Sequence, residues 1–304
     1  LFLYELVMAF TDEYGVNLTL ASAAFKFYNK NFNDHGNLKT DKNFYDQFKW
    51  FYYGGRVECF KKGLIEKPFK AYDINSAYPY AMLHSHPYGN TFEEIYELPE
   101  NGVERCFIEL ECISEGAFPF REKDKTLSFP DDLEKRKYFV TGWEYLSGLR
   151  NNAIHDITII RVFRFFQWME FSQYVHYFYE KKNNAQKETP EYIISKLFLN
   201  SLYGKYAANP DKYTETYICP QNYIGHCCEL LDMDYCGDLG DWAVLERALP
   251  EEKQNYYNVA TAASITGFVR AYLFDQICKS KGVIYCDTDC IVCEGGEFNE
   301  GSKL

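Results

Sequence analysis

The chain opens on an apolar stripe, Leu1, Leu3, Leu6, Val7 and Phe10, spaced for one buried helix face, and residues 1 to 30 read as a helix pair. Residues 31 to 48 are polar, rich in Asn, Asp and Lys, and read as a loop. Beyond them, Phe51-Tyr52-Tyr53-Gly54-Gly55-Arg56-Val57 joins a Gly-Gly turn to a short strand. Residues 68 to 84 predict a strand, then Asp73, then a helix. Apolar and charged residues nearly alternate over 104 to 113, as in a half-solvated strand. Residues 126 to 131 are turn-like, 140 to 150 have a helical pattern, and the β-branched run 157 to 163 predicts a strand. Two helices separated by a polar segment at 181 to 189 are expected across 168 to 206. Residues 210 to 255 are acidic and cysteine-bearing, and read as an irregular inserted excursion or hairpin. A helix over 260 to 279 precedes two apolar runs, 283 to 286 and 290 to 293, which flank Asp287-Thr288-Asp289 as a hairpin. The first stripe begins without a cap or an initiator Met, the pattern expected of a piece of a longer polypeptide.

Composition bounds what these elements can build. Of the 304 residues, 47% are hydrophobic, enough for a substantial core. Tyr and Phe, 27 and 25 in number, could supply stacking surfaces for bases, though core packing is the commoner fate of any one ring. The net charge of −12 counts against nucleic-acid binding taken at face value, because phosphate contacts need Lys and Arg. Eleven cysteines, an odd number without framework spacing, point to a reduced, intracellular compartment. No apolar run reaches the roughly 18 residues of a membrane span, so no membrane partner is expected.

Three carboxylates carry the candidate chemistry. Asp287 and Asp289 lie at i and i+2 of a tight turn, and period two puts both on one side. Asp73 ends a separate strand, just before Asn75-Ser76-Ala77-Tyr78-Pro79. If the two strands pair, the three acids meet at a sheet edge and suit a pair of hard divalent cations about 3.5–4 Å apart. Alone, an Asp-Thr-Asp triplet is equally an ordinary turn, and Asp73 could merely cap the following helix.

The surroundings decide. Tyr72-Asp73-Ile74-Asn75-Ser76-Ala77-Tyr78-Pro79 resembles motif A of the family B DNA polymerases. Lys196-Leu197-Phe198-Leu199-Asn200-Ser201-Leu202-Tyr203-Gly204-Lys205 resembles motif B, and Tyr285-Cys286-Asp287-Thr288-Asp289-Cys290 resembles motif C. The three occur in the family's order, and Tyr52-Tyr53-Gly54-Gly55 is similar to the Tyr-x-Gly-Gly element that precedes motif A. The Asn-Ser-Leu-Tyr-Gly-Lys form, followed by Ala208-Asn209-Pro210, resembles the protein-primed subgroup of phages and linear plasmids.

That resemblance implies an α+β fold: an antiparallel palm sheet with helices, an α-helical fingers hairpin and inserted subdomains. The expected division is a connecting region at 1–66, palm at 67–103, an insertion contacting the priming protein at 104–163, fingers at 164–208, a processivity insertion at 209–256 and palm again at 257–304. It further implies Asp73 and Asp289 as main ligands of two Mg²⁺ (or Mn²⁺) ions, with Asp287 adjacent and the Ile74 carbonyl as an extra ligand. Lys196 would reach the triphosphate of the incoming dNTP as a point charge, with Lys182 or Lys181 as a second contact. Asn200 would hydrogen-bond the nascent base pair, and Tyr203 would stack beneath it. Tyr78 would exclude a ribose 2′-hydroxyl. Tyr52, Gly54 and Gly55 would let the backbone approach the DNA template strand. Partners implied are primer-template DNA, dNTPs and a terminal protein, in a bacterial host's cytoplasm if the gene is a phage's.

The pattern departs from the family at Cys290, where Ser is usual, and no exonuclease or thumb motif is recognisable in the 304 residues. A split or non-catalytic polymerase fragment is therefore the alternative reading. Cys219, Cys227, Cys228, Cys236 and His226 leave a zinc site open, but without a paired Cys-x-x-Cys spacing free thiols are the expectation.

Overall fold

A computed structural model describes residues 2–15, 17, 19–34, 36, 40–209, 213–250 and 257–296. Leu1 of the opening stripe and Pro210 of the subgroup signature lie outside them. The chain divides into two compact units, Leu1–Ala207 with Asn258–Leu304, and Ala208–Tyr257. Among the described residues no helix is long and apolar enough to cross a membrane.

In the larger unit the expected helix pair is α1 (Phe2–Tyr14) and α2 (Leu20–Asn31). The segment read as a loop instead carries α3 (Lys42–Phe48), started by the Asp41 carboxylate, which accepts from Phe44 N at 2.8 Å. Phe44, Phe48 and Phe51 fall at i, i+4 and i+7 and are buried. The polar residues between them, which suggested a loop, are the helix's wet face.

Strands β1 (Val57–Cys59) and β2 (Lys70–Asp73) are followed by α4 (Ala77–Met82). Two short strands, β3 (His86–Pro87) and β4 (Phe92–Ile95), lead into β5 (Cys106–Ser114). The hairpin β6 (Phe120–Arg121) and β7 (Leu127–Ser128) precedes β8 (Lys135–Thr141), a strand that ends where α5 (Gly142–Arg150) begins. Next come β9 (Ile154–Phe165), β10 (Trp168–Met169), α6 (Ser172–Asn184) and α7 (Pro190–Tyr206).

An antiparallel sheet of order β4-β9-β5-β8 dominates this middle stretch. β5 is not half-solvated as its alternation suggested; it is a central, buried strand. Ile108, Leu110 and Cys112 pack with Tyr145 of α5, while Phe107 meets the rings of Phe48 and Phe51 across the other face. Glu109, 2% exposed, is tolerated inside because Arg161 donates to it at 2.7 Å and Lys137 pairs with it.

The unit closes with α9 (Val259–Lys279), β15 (Tyr285–Asp287) and β16 (Cys290–Cys293), plus the short pair β14 (Ser280–Lys281) and β17 (Gly295–Gly296). α9 is buried on nearly every side because it serves three cores at once. Its Ala262, Ile265 and Val269 join the helical core of α2, α4, α6 and α7; Phe274 joins the core of the large sheet; Leu273 lies beneath the β15–β16 hairpin.

The smaller unit is a small antiparallel sheet where an inserted hairpin or irregular excursion was expected. β11 (Thr214–Pro220), β13 (Trp242–Ala248) and β12 (Asp234–Leu239) form an antiparallel sheet in that order, with α8 (Ile224–Leu231) alongside. Cys219, Ala243 and Leu245 are its buried core, packed against Ile224, Cys227 and Cys228. Three of the thiols that raised zinc are thus packing groups, and the fourth, Cys236, is exposed on β12.

Candidate active site

A second antiparallel sheet, of order β1-β15-β16-β2, carries the acids. Cys290 of β16 is in register with Asp287 of β15 on one side and Asp73 of β2 on the other. The two-residue turn between β15 and β16 is held open by a left-handed Thr288 (φ 54°), whose N–H donates to the Arg56 carbonyl at 2.7 Å. Asp289 then leans toward β2, and its own carbonyl accepts from Ile74 N at 2.6 Å. Asp73 and Asp287 are exposed, Asp289 half-buried.

The acids do not form the closed trio that the i, i+2 spacing suggested. Among the described residues no three His, Cys, Asp or Glu side chains gather closely enough to hold a metal ion. Period-two alternation breaks at Thr288, whose positive φ takes Asp289 out of strand geometry. Asp287 instead accepts hydrogen bonds from its neighbours, Tyr285 OH at 3.2 Å and Thr288 Oγ1 at 3.1 Å. Burial raises the Asp289 carboxyl above the usual carboxylate range; the charge of Asp73 adds to this, and that of Asp287 adds less. Of the two neighbouring acids, Asp73 has the larger electrostatic influence on Asp289, while Asp287 bonds its own neighbours. A divalent cation, which prefers hard oxygen ligands, would relieve the repulsion that Asp73 exerts on Asp289.

Beside the pair lies a phenolic floor. Tyr78, from α4, and Tyr203, from α7, are stacked with centroids 4.2 Å apart and planes 11° apart. Their side chains hydrogen-bond each other, and burial raises both phenols, as it raises Tyr52 next to them, so all three are neutral near pH 7. The charges of Asp289 and Asp287 reach Tyr78. Ser76 adopts a left-handed conformation (φ 54°), and its Oγ accepts from Lys182 Nζ at 3.3 Å. Burial lowers the Lys182 ammonium, and the neighbouring positive charge of Lys196 lowers it further. Lys196 and Asn200, one turn apart on α7, are both exposed. Two converging cations, a phenolic floor and a carboxylate pair are thus assembled from β2, α4, α6, α7 and the β15–β16 turn. Lys181 is turned elsewhere, paired with Glu13.

The Tyr52–Gly55 segment has an internal role that its sequence did not reveal. A Cβ at Gly55 would lie 2.6 Å from Thr288 Oγ1, so the missing side chain lets this segment press against the Asp-Thr-Asp turn. Gly54 meets nothing within 4 Å. Sequence reading also missed Arg270, although an arginine inside an otherwise apolar stretch of α9 was a visible signal. Only 2% exposed, it donates to Glu144 at 2.7 Å and to the carbonyls of Tyr53 and Gly54 at 2.7 and 2.9 Å.

Residues 1–282 match the family model described as DNA polymerase type B, organellar and viral. The DNA-directed DNA polymerase of Enterobacteria phage PRD1 is 35% identical over 302 residues, covering 96% of this chain and 51% of that protein. A probable DNA polymerase of Neurospora intermedia is 28% identical, over 90% of this chain and 30% of its own length. The chain thus spans about half, or less, of these relatives. Among solved structures, Phi29 DNA polymerase complexed with primer-template DNA shares the fold, with a TM-score of 0.67 and 18% identity over 97% of this chain and 51% of that one. Family match, motif order and fold agree: the chain belongs to the organellar and viral type B DNA polymerases.

Proposed function

We propose that this chain carries the nucleotidyl-transfer site of a template-directed DNA polymerase, which adds dNTPs to a 3′-hydroxyl, in replication primed by a terminal protein. The observation that carries this reading is the convergence of Lys182 and Lys196 beside the Tyr78–Tyr203 floor, next to the Asp73–Asp289 pair. Asp73 and Asp289 would hold two divalent cations, Mg²⁺ foremost, with the Ile74 carbonyl as a further oxygen and Asp287 alongside. When bound, such ions neutralise triphosphate charge and favour the ionised 3′-hydroxyl.

The rest is done by side chains. Lys196, exposed and charged, draws the triphosphate; Lys182, partly desolvated, adds a second cation while Ser76 orients it. The stacked Tyr78 and Tyr203 form a rigid neutral floor on which a nucleotide rests, Tyr78 leaving no room for a 2′-hydroxyl. Asn200, one turn from Lys196, is placed to bond the nascent pair. Protein priming rests on the Asn-Ser-Leu-Tyr-Gly-Lys form of motif B and on the inserted segments 104–163 and 209–256.

Mg²⁺-dependent primer extension, measured for the parent protein and for Asp289→Asn, tests the proposal. Equal extension by both proteins would overturn it.

A further inference from the structure

The segment between α3 and β1 is gripped from one side by residues of the inserted stretch 104–163 and presses with its other side on the Asp-Thr-Asp turn. Arg121 of β6 donates to the Tyr52 carbonyl at 2.9 Å and lies over the Tyr53 ring. Arg270 spans the next two carbonyls, those of Tyr53 and Gly54. Arg56, 2% exposed, donates to the Gly116 carbonyl at 2.7 Å and stacks on Phe129. On the opposite side Gly55 abuts the Thr288 side chain, and the Arg56 carbonyl accepts from Thr288 N.

Arg270 can serve as this bridge only because Glu144 neutralises it. Glu144 is 1% exposed and anchored at both carboxylate oxygens, one to Arg270 Nε and the other to Thr141 N at 2.9 Å and Thr141 Oγ1 at 2.8 Å in the capping box of α5. Gly267, one turn before Arg270 on α9, packs directly on Thr141, which brings the two helices close enough for the pair to form. A guanidinium buried without its carboxylate would be strongly disfavoured and would move.

We propose that Glu144 and Arg121 are positioning residues for the polymerase site: through Arg270 and the Tyr52–Arg56 segment they set the place of the Thr288 turn and hence of Asp289. The inserted stretch is then part of the catalytic frame, and whatever binds it can shift the turn through these contacts. Neither residue touches the reacting groups. The kinetic part of this inference rests on the function proposed above; the structural part does not.

Hydrogen exchange on the full protein provides the structural test. In Glu144→Gln the amides of residues 286–291 are expected to exchange about tenfold faster, and in Arg121→Met about threefold faster, as local opening becomes easier. Phe118→Leu, a buried substitution in the same stretch, serves as the stability control, compared at equal distance below Tm. Hairpin exchange unchanged in both variants, or raised equally in Phe118→Leu, would overturn the inference. Arg121 is exposed, so Arg121→Met is expected to fold and decides the question even if Glu144→Gln does not. In extension assays Glu144→Gln is expected to lose about tenfold in kcat with KM for dNTP little changed, because placement of Asp289 acts in the transition state. A kcat equal to that of Phe118→Leu would contradict this. A parent protein inert in extension, or matched by Asp289→Asn, would sink the proposed function and leave the exchange result standing.

Discussion

The two antiparallel sheets of the larger unit differ in what they do with charge. The sheet of β4, β9, β5 and β8 has strands of up to 12 residues with β5 buried at its centre, and it takes Glu109 inside only in the company of Arg161 and Lys137. The sheet of β1, β15, β16 and β2 has strands of three or four residues, and it leaves Asp73 and Asp287 exposed beside a half-buried Asp289. The first satisfies its charges internally, which favours folding. The second keeps carboxylates in one sheet with no ion pair to them among the described residues, which opposes folding and would suit them to an external cation. So small a sheet depends on α9 beneath it and on the Tyr52–Arg56 segment beside it for its geometry.

Asp289→Asn is the widest way to separate the two regions. It is expected to reduce extension by at least about three orders of magnitude, since the proposed reacting centre would lose a charged ligand. Thermal stability should hold or rise slightly, because repulsion from Asp73 is relieved. A fall in Tm comparable with that of a core variant would show that the small sheet also relies on its acids for folding.

Glu109→Ala tests the converse. Removing a buried carboxylate that two cations share should lower stability by roughly 2–3 kcal/mol, moderated because Arg161 and Lys137 can turn to solvent. Chemical denaturation measures it, and extension per folded molecule should remain near the parent's.

A third test uses pH. His86 is wholly buried, held by Ser264 Oγ and the Ala81 carbonyl, and burial lowers its imidazole from 6.5 to about 4. A depressed histidine binds protons more readily when unfolded. Its contribution is therefore full above about pH 6.5 and is lost as pH falls toward about 4, up to roughly 3 kcal/mol in all. Denaturation midpoints across that window should fall in the parent and flatten in His86→Leu.

The smallest expected effect is that of Lys182→Met. It should raise KM for dNTP about tenfold and leave DNA affinity within about twofold, since the phosphate contact proposed for this partly desolvated lysine would be lost. Equal losses of DNA and dNTP binding would move Lys182 out of the nucleotide pocket.

Much of this was legible in the residues. The β15–β16 hairpin, the strand ending at Asp73, the helices of 172–206 and the long α9 follow from local periodicity and turn chemistry, which depend only on neighbours in sequence. Motif order assigns Asp73, Lys196, Tyr203 and Asp289 to one site only by resemblance to the family. Local pattern failed where burial came from distant partners. α3 was masked by the polar residues on its outer face. β5 looked half-solvated because Glu109 and Glu111 are charged, although the cations that admit Glu109 are Lys137 and Arg161, 28 and 52 residues away.

By itself the sequence determined most of the helices and strands, the β15–β16 hairpin and the motifs of the family, because helix period, strand alternation and turn preference are properties of short stretches. Only the tertiary structure decided that Asp73 acts on Asp289 more strongly than Asp287 does, that Gly55 makes way for Thr288, and that Glu144 bonds the buried Arg270. Each of those outcomes depends on the register of strands far apart in the chain and on the neutralisation of buried charge. Both are set by three-dimensional packing, and no local pattern encodes them.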